Sequence, residues 1–289
     1  MSVNNTILIT GGNGKTGGRI AKRLSELGYD VRTAGRGESI FGSSIQHVYF
    51  DWFNQNTFED ALKDVEKIYL VAPLMVTDPH PIMLPFLEKA VQAGVRRMVL
   101  LSSASVPEGG PVFGKLHGEL RHFVPEWAVL RPSYFMQNFT EGHHATTITR
   151  DGIMITATGN GRVGFVDADD IAEVGVRALI DEEAHNTDHI ITGPESLSYA
   201  EAGNIIGAAI GRPIRHVDIS VNELRKRMIQ LGMPEDYASF LSGLDEKINK
   251  DGAEDIVTDA VERITGRKPK SLEDFVQSNL AVWMKNDNG

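Results

Sequence analysis

Thr6-Ile7-Leu8-Ile9-Thr10-Gly11-Gly12-Asn13-Gly14-Lys15-Thr16-Gly17 carries an apolar run into a glycine cluster, and the cluster opens a helix. Gly11, Gly14 and Gly17 have the G-x-x-G-x-x-G spacing of a dinucleotide-binding loop. Each glycine answers a physical need. The first lets the chain turn sharply off a buried strand. The second lets backbone N–H groups approach a pyrophosphate. The third lets the helix pack closely on the sheet, with its positive N-terminus toward the phosphate charge. Thr10, Gly11, Gly12, Asn13, Gly14, Lys15, Thr16 and Gly17 are therefore expected to contact a cofactor.

The flanks supply the βαβ context this loop requires. Ile20, Leu24 and Leu27 recur at helical spacing, Gly28 stops the helix, and Tyr29–Ala34 reads as a second strand. Gly14-Lys15-Thr16 also looks like the end of a nucleotide-triphosphate loop, but that pattern needs glycine at position 9, where Ile9 stands. Past the second strand, Ala34-Gly35-Arg36-Gly37 offers no acid for a ribose 2′-hydroxyl. Arg36 can instead pair with a 2′-phosphate through its planar fork, which points to NADP(H) rather than NAD(H).

A chain of 289 residues buries a full core, as one large domain or as a larger and a smaller one. A formal charge of −10 argues against a broad nucleic-acid surface, so the expected partner is a small molecule. The absence of cysteine excludes disulfides, thiolate metal sites and cysteine nucleophiles. No apolar run is long enough to span a membrane, and no signal peptide is apparent, so the cytoplasm is the expected location.

Strands and helices alternate through the first half, which is the pattern of an α/β doubly wound parallel sheet of the Rossmann type. His80–Ala93 reads as helix with an awkward Pro85, Tyr134–Thr149 as helix, and Val163–Val166 as strand. From Ser198 the pattern is mainly helical, over Ser198–Ile210, Ser220–Leu231, Pro234–Ile248 and Ala253–Ile264. The expected division is a Rossmann domain over 1–155, with about 163–193 returning to it, and a smaller, mainly helical subdomain over 156–289.

A carbonyl-reducing short-chain dehydrogenase uses a Tyr-x-x-x-Lys pair, in which lysine lowers the tyrosine pKa and tyrosine delivers a proton. The corresponding stretch here is Phe113-Gly114-Lys115-Leu116-His117. Phenylalanine donates no proton, and His117 takes the lysine's place. Hydride acceptors that are already cationic or electron-poor need no such acid: iminium ions, conjugated dye cations and quinones qualify. His117, the one candidate catalytic residue, either contacts ribose or nicotinamide, with a weak proton relay as part of that role, or is an amphipathic-helix histidine satisfied by neighbouring backbone.

Ligands of such sheets lie beyond the carboxyl ends of the strands. Asp51 and Trp52 after the third strand are candidates for the adenine, and Ala72 and Pro73 after the fourth for the path toward nicotinamide. Ser102 and Ser133 end later strands at the same edge. Tyr134, Phe135, Met136 and Asn138 are candidates to wall a flat substrate, although aromatic and Met residues more commonly fill the core. His143 and His144 are adjacent and diverge by about 100° on a helix, so no metal site is expected.

These motifs together, with Leu130-Arg131-Pro132-Ser133-Tyr134-Phe135-Met136-Gln137-Asn138 and Gly159-x-Gly161-x-x-x-Phe165-x-Asp167-x-x-Asp170-Ile171-Ala172, resemble the NmrA-like atypical short-chain dehydrogenases. The similarity spans nearly the whole chain and is greatest to the festuclavine/agroclavine dehydrogenase branch and the triphenylmethane dye reductases. The resemblance implies NADP(H) binding, a small C-terminal substrate subdomain, and hydride transfer to iminium or dye-like cations and quinones. It assigns cofactor contacts to Gly11, Gly14, Gly17 and Arg36 and supports Ala72, Pro73, Ser102 and Ser133. The group also contains non-catalytic regulators that bind the dinucleotide, so a redox-sensing role is the alternative.

Overall fold

The structure is a computed structural model, and it describes residues 5–284. In chain order the elements are β1 Thr6–Thr10, α1 Gly17–Glu26, β2 Val31–Gly35, β3 Gln46–Tyr49, α2 Phe58–Leu62, β4 Val65–Leu70, α3 His80–Gln92, β5 Arg97–Leu101, α4 Gly114–Phe123, β6 Glu126–Pro132 and α5 Gly142–Asp151. There follow β7 Ile153–Thr156, β8 Arg162–Val163, α6 Ala168–Ile180, β9 Thr187–Ile191, β10 Leu197–Ser198, α7 Tyr199–Ile210, β11 Arg215–Asp218, α8 Val221–Gln230, α9 Glu235–Asp251, α10 Ala260–Thr265 and α11 Leu272–Trp283. They form two compact units, one of the described residues up to Pro132 together with Ala168–Ile190, the other of Ser133–Asp167 together with the described residues from Ile191 on.

The first unit is built on a seven-stranded sheet in the order β3-β2-β1-β4-β5-β6-β9, and every pairing among its first six strands is parallel. All five residues of β1 are buried, as a central strand covered on both faces requires. Strand order reverses at β1, so the glycine loop lies at the switch point where such sheets take ligands. Ile20, Ala21 and Leu24 form the buried stripe of α1. Phe50, Trp52, Phe58 and Phe86 cluster in this core, with Phe50 and Trp52 edge-to-face at 4.8 Å. The α3 helix continues through Pro85.

The second unit has its own core, which includes Met136, Phe139, Phe165, Tyr199, Ile248, Phe275 and Trp283. Its two small sheets are the parallel pair β7–β11 and the antiparallel pair β8–β10. The first division falls at Pro132 rather than at 155. The reason is that β7 pairs with β11, which ties residues 142–156 to the C-terminal half. The expected helix over Tyr134–Thr149 is a short 3₁₀ turn at Met136–Phe139 followed by α5, and it breaks where Gly142 takes φ +72°. The expected helix over Ala253–Ile264 is irregular up to α10. The expected strand over Val163–Val166 is two residues of β8, after which Val166 makes a lone bridge to Phe135.

Candidate functional site

In the first unit the glycine loop is held from below. Thr10 is fully buried at the end of β1, and its hydroxyl donates to Tyr69 O (3.1 Å) and accepts from Val71 N (2.8 Å). Tyr69 Oη, itself buried, donates to Thr16 Oγ1 at 3.0 Å. Thr16 is the N-cap residue of α1 yet makes no side-chain capping bond. The helix N-terminus therefore keeps donors that no side chain caps, and its first turn contains no acid. Gly11 takes φ +63°, and a Cβ on Gly17 would stand 2.4 Å from Gly11 O, so neither position admits a larger residue without movement. The Thr10 hydroxyl is thus occupied within the protein, and Thr16 accepts from Tyr69, so both act as scaffold beneath the loop.

Asn13 ties this loop to the one after β2: its Nδ2 donates to Glu38 O (2.7 Å), and its Oδ1 accepts from Ile40 N (3.3 Å). Between them Arg36 is exposed, with no hydrogen bond or ion pair to the described residues. The His47 ring holds Gly37 O at 2.9 Å and fixes the same loop. One Asp51 oxygen accepts from Phe53 N (3.1 Å) in a local turn. Trp52 differs from expectation. Its ring is engaged by Phe50 and Phe86, and Nε1 donates to Val71 O at 3.1 Å, so it braces the end of β4 and offers no face for stacking. Ala72 and Pro73 are buried just past β4.

Ser102 follows β5 and is buried, and its Oγ has no hydrogen-bond partner among the described residues. His117 lies one turn into α4, its backbone N–H bonded to Phe113 O (2.9 Å). It is 2 % exposed, and its Nδ1 has no partner among the described residues. Burial lowers its pKa, against the opposing pull of Asp188 and Glu108, so it is neutral at neutral pH. Arg131 donates to Asp188 at 2.7 Å and to Ala104 O at 2.9 Å, which fixes the turn after β5. Burial would raise the Asp188 pKa, but Arg131 outweighs it and holds the carboxyl below its usual value. Buried polar groups are normally satisfied, and Ser102 Oγ and His117 Nδ1 are two in this unit that the described residues leave without a partner. With the cradled loop and the free Arg36, they fit a dinucleotide.

In the second unit, Ser133 donates Oγ to buried Glu254 at 2.6 Å, so its hydroxyl is engaged there and is not available as expected. Met136 is 1 % exposed and packs in the core, so it too departs from the expected pocket wall. Tyr134, Phe135 and Asn138 are half-buried. The sequence reading missed Asp245, which is buried on α9, accepts from Ala157 N (3.0 Å) and bonds the Tyr134 hydroxyl. Its signal was legible: Asp245 continues the buried stripe of Ala238, Ser242 and Ile248. Buried Gln137 donates to Asp167 at 2.9 Å, and Lys270 pairs with the same carboxylate at 2.6 Å. Among the described residues no group of three His, Asp or Glu is placed to hold a metal ion, and no helix is long and apolar enough to cross a membrane. The side chain of His143 lies outside the described residues.

Comparison with known proteins agrees with this geometry. The NmrA-like family matches residues 118–276, and the NAD dependent epimerase/dehydratase family matches residues 7–119. Uncharacterized oxidoreductase YesF of Bacillus subtilis (strain 168) is 53 % identical over 98 % of each chain. Agroclavine dehydrogenase of Claviceps fusiformis is 36 % identical over 98 % of this chain and 100 % of its own. The solved structure of Citrobacter sp. triphenylmethane reductase complexed with NADP(H) shares the fold, with a TM-score of 0.76 at 18 % identity over 95 % of this chain and 99 % of that one. The chain belongs to the NmrA-like family and stands among its oxidoreductases.

Proposed function

We propose that the protein is an NADPH-dependent reductase that transfers hydride to a planar, electron-poor compound, an iminium ion, a cationic dye or a quinone, without a tyrosine–lysine acid pair. The observation that carries this reading is at the start of α4. Phe113 stands where a proton-donating tyrosine belongs, and His117 one turn later is buried and neutral. A ketone acquires charge on oxygen as hydride arrives and needs a donor there; an iminium or dye cation loses its charge and needs none. The names of the relatives support the same class: a clavine dehydrogenase, and a triphenylmethane reductase solved with NADP(H).

When bound, NADPH supplies the hydride. The chain's own residues hold and orient it. Gly11, Gly12, Gly14 and the uncapped start of α1 take the pyrophosphate, and Asn13, Lys15 and Gly17 shape that cradle. Arg36 takes the additional phosphate. Asp51 lies toward the adenine, and Ala72 and Pro73 line the path beyond β4. Ser102 and His117 offer their unpartnered atoms to ribose or nicotinamide. Tyr134, Phe135 and Asn138 contribute to the substrate wall.

His117→Ala is the test. Its orphan nitrogen orients rather than protonates, so NADPH affinity and turnover of a cationic dye should each fall by a modest factor. Rapid reduction of an ordinary ketone by the unmodified protein, abolished in His117→Ala, would make His117 an acid and overturn the reading. No turnover of any electron-poor compound, despite tight NADPH binding, would assign the protein to the redox-sensing class.

A further inference from the structure

Between buried Pro73 and buried Pro79 the chain runs through residues 74–78 on its way from β4 to α3. Leu74 is 77 % exposed and Met75 51 %, side by side in the turn at its tip. One exposed apolar side chain is ordinary, but two in succession on a short turn pinned by prolines form a small apolar surface.

The backbone supplies a second observation. Met75 takes φ +60°. The other described residues apart from glycine with a positive φ are Asp64, Val112 and Asn186. Asp and Asn tolerate that region, whereas Met and β-branched Val are strained in it. The two strained residues lie on loops that leave neighbouring parallel strands: Met75 after β4, and Val112 after β5, directly before Phe113. A turn with no task for its side chain is commonly built with Gly, Asn or Asp at such a position. Strain of this kind gathers where the placement of a side chain matters.

The turn is also tethered. Asp78 Oδ1 lies 3.5 Å from Lys115 Nζ, and His80 Nε2 pairs with Glu119 Oε2 at 2.7 Å. Both partners are on α4, which starts after Phe113 and carries His117. Strand β4 lies between β1, which ends in the glycine loop, and β5, which leads to the unpartnered Ser102 hydroxyl. Leu74 and Met75 therefore stand at the carboxyl edge of the sheet, where ligands of such folds lie.

We propose that Leu74 and Met75 form an apolar platform for the flat ring system of the hydride acceptor, and that they set a preference for large acceptors over small ones. This rests on the reductase reading above and deepens it by naming the residues of the first unit that measure the acceptor's size. A thioether and an isobutyl group press on a π face without offering charge or a strong hydrogen bond. The platform thus selects by apolar area and is indifferent to the acceptor's charge.

The test uses 9,10-phenanthrenequinone, with three fused rings, and 1,4-benzoquinone, with one. Each takes a hydride from NADPH and a proton from water, which gives the hydroquinone and NADP⁺. Leu74→Ser should lower kcat/KM for phenanthrenequinone about tenfold, through KM rather than kcat, as loss of part of a leucine's burial against a ligand does. Benzoquinone should change by less than about twofold, and NADPH affinity should stay as it is. Met75→Gly should show the same selective loss yet melt no lower than the unmodified protein, because glycine relieves the strain and the exposed side chain gives up little packing. Binding of phenanthrenequinone to the NADP⁺-loaded protein, followed by quenching of tryptophan fluorescence, makes the same comparison without turnover.

Equal losses with both quinones, kinetics and binding unchanged in both variants, a loss of NADPH affinity, or a clearly lower melting temperature for Met75→Gly would each overturn the platform. The two readings fail separately. Quinone turnover that neither substitution alters keeps the reductase and removes the platform. Phenanthrenequinone binding that depends on Leu74, with no turnover of any acceptor, keeps the platform and removes the reductase.

Discussion

Tyr69 reaches from β4 to donate its hydroxyl to Thr16 Oγ1 at 3.0 Å, in full burial beneath the glycine loop. That bond occupies the one side chain positioned to cap α1, so the helix N-terminus stays open for an anion. Tyr69→Phe should release Thr16 to cap its own helix. Stability should fall by about 1 kcal/mol for the lost buried hydrogen bond, and NADPH affinity should fall roughly three- to tenfold as the cap competes with the phosphate. Thermal melting with and without NADPH checks both. Unchanged NADPH affinity would mean that the cap and the ligand do not compete.

Arg36 stands just past β2 without a partner among the described residues, and no acid ends that strand. The protein should bind NADPH more tightly than NADH, and Arg36→Ala should cost roughly 1.5–3 kcal/mol toward NADPH and little toward NADH. Fluorescence titration with both cofactors decides this. Equal constants in the unmodified protein would remove the 2′-phosphate assignment.

The glycines of the loop separate by function. A Cβ on Gly17 meets Gly11 O at 2.4 Å, and one on Gly12 meets Thr33 Cβ at 2.5 Å, so both are needed for the fold itself. A Cβ on Gly14 meets only Gly11 O, at 3.0 Å, and Gly14 has no positive φ. Gly17→Ala should therefore lower the melting temperature of the ligand-free protein, by about 1–3 kcal/mol of stability. Gly14→Val should leave melting near normal and abolish NADPH binding. Normal NADPH binding by Gly14→Val would show that the pyrophosphate lies elsewhere.

Asp245 carries a signed pH prediction. Burial raises its folded-state pKa to about 6, above the ordinary aspartate value of an unfolded chain. The folded state then holds the proton more tightly, so its contribution to stability is present at low pH and is lost as pH rises through about 6. Asp245→Asn does not titrate and keeps an acceptor for Ala157 N. It should be more stable than the unmodified protein by about 1–3 kcal/mol at pH 8, with the advantage vanishing near pH 4. Urea denaturation at several pH values checks this. A variant less stable at pH 8 would contradict it.

The first unit was legible in the sequence because its signals are local. Apolar runs, a glycine loop and helical spacing lie within about thirty residues of each other, and Arg36 follows directly from where β2 ends. The second unit depends on pairings that no local pattern announces. Strands β7 and β11 are four residues each and lie some sixty positions apart. Only Ala253 and Glu254 of residues 253–259 favour a helix; Gly252 ends α9 in the left-handed region, and Glu254 turns inward to Ser133. Trp52 and Ser133 follow strands β3 and β6 as read, but their polar atoms turn to the protein itself, since an indole N–H or a hydroxyl looks the same in sequence whether it faces a ligand or Val71 O and Glu254.

The central claim is that hydride leaves NADPH for an acceptor that needs no acid. NADPH oxidation by the purified protein, followed by its near-ultraviolet absorbance, should be rapid with a planar cationic dye or a cyclic iminium. It should be slower by orders of magnitude with a simple ketone of similar size. Faster oxidation with the ketone than with any cation or quinone would contradict the account, because Phe113 has no proton to give and burial holds His117 away from its charged, acidic form.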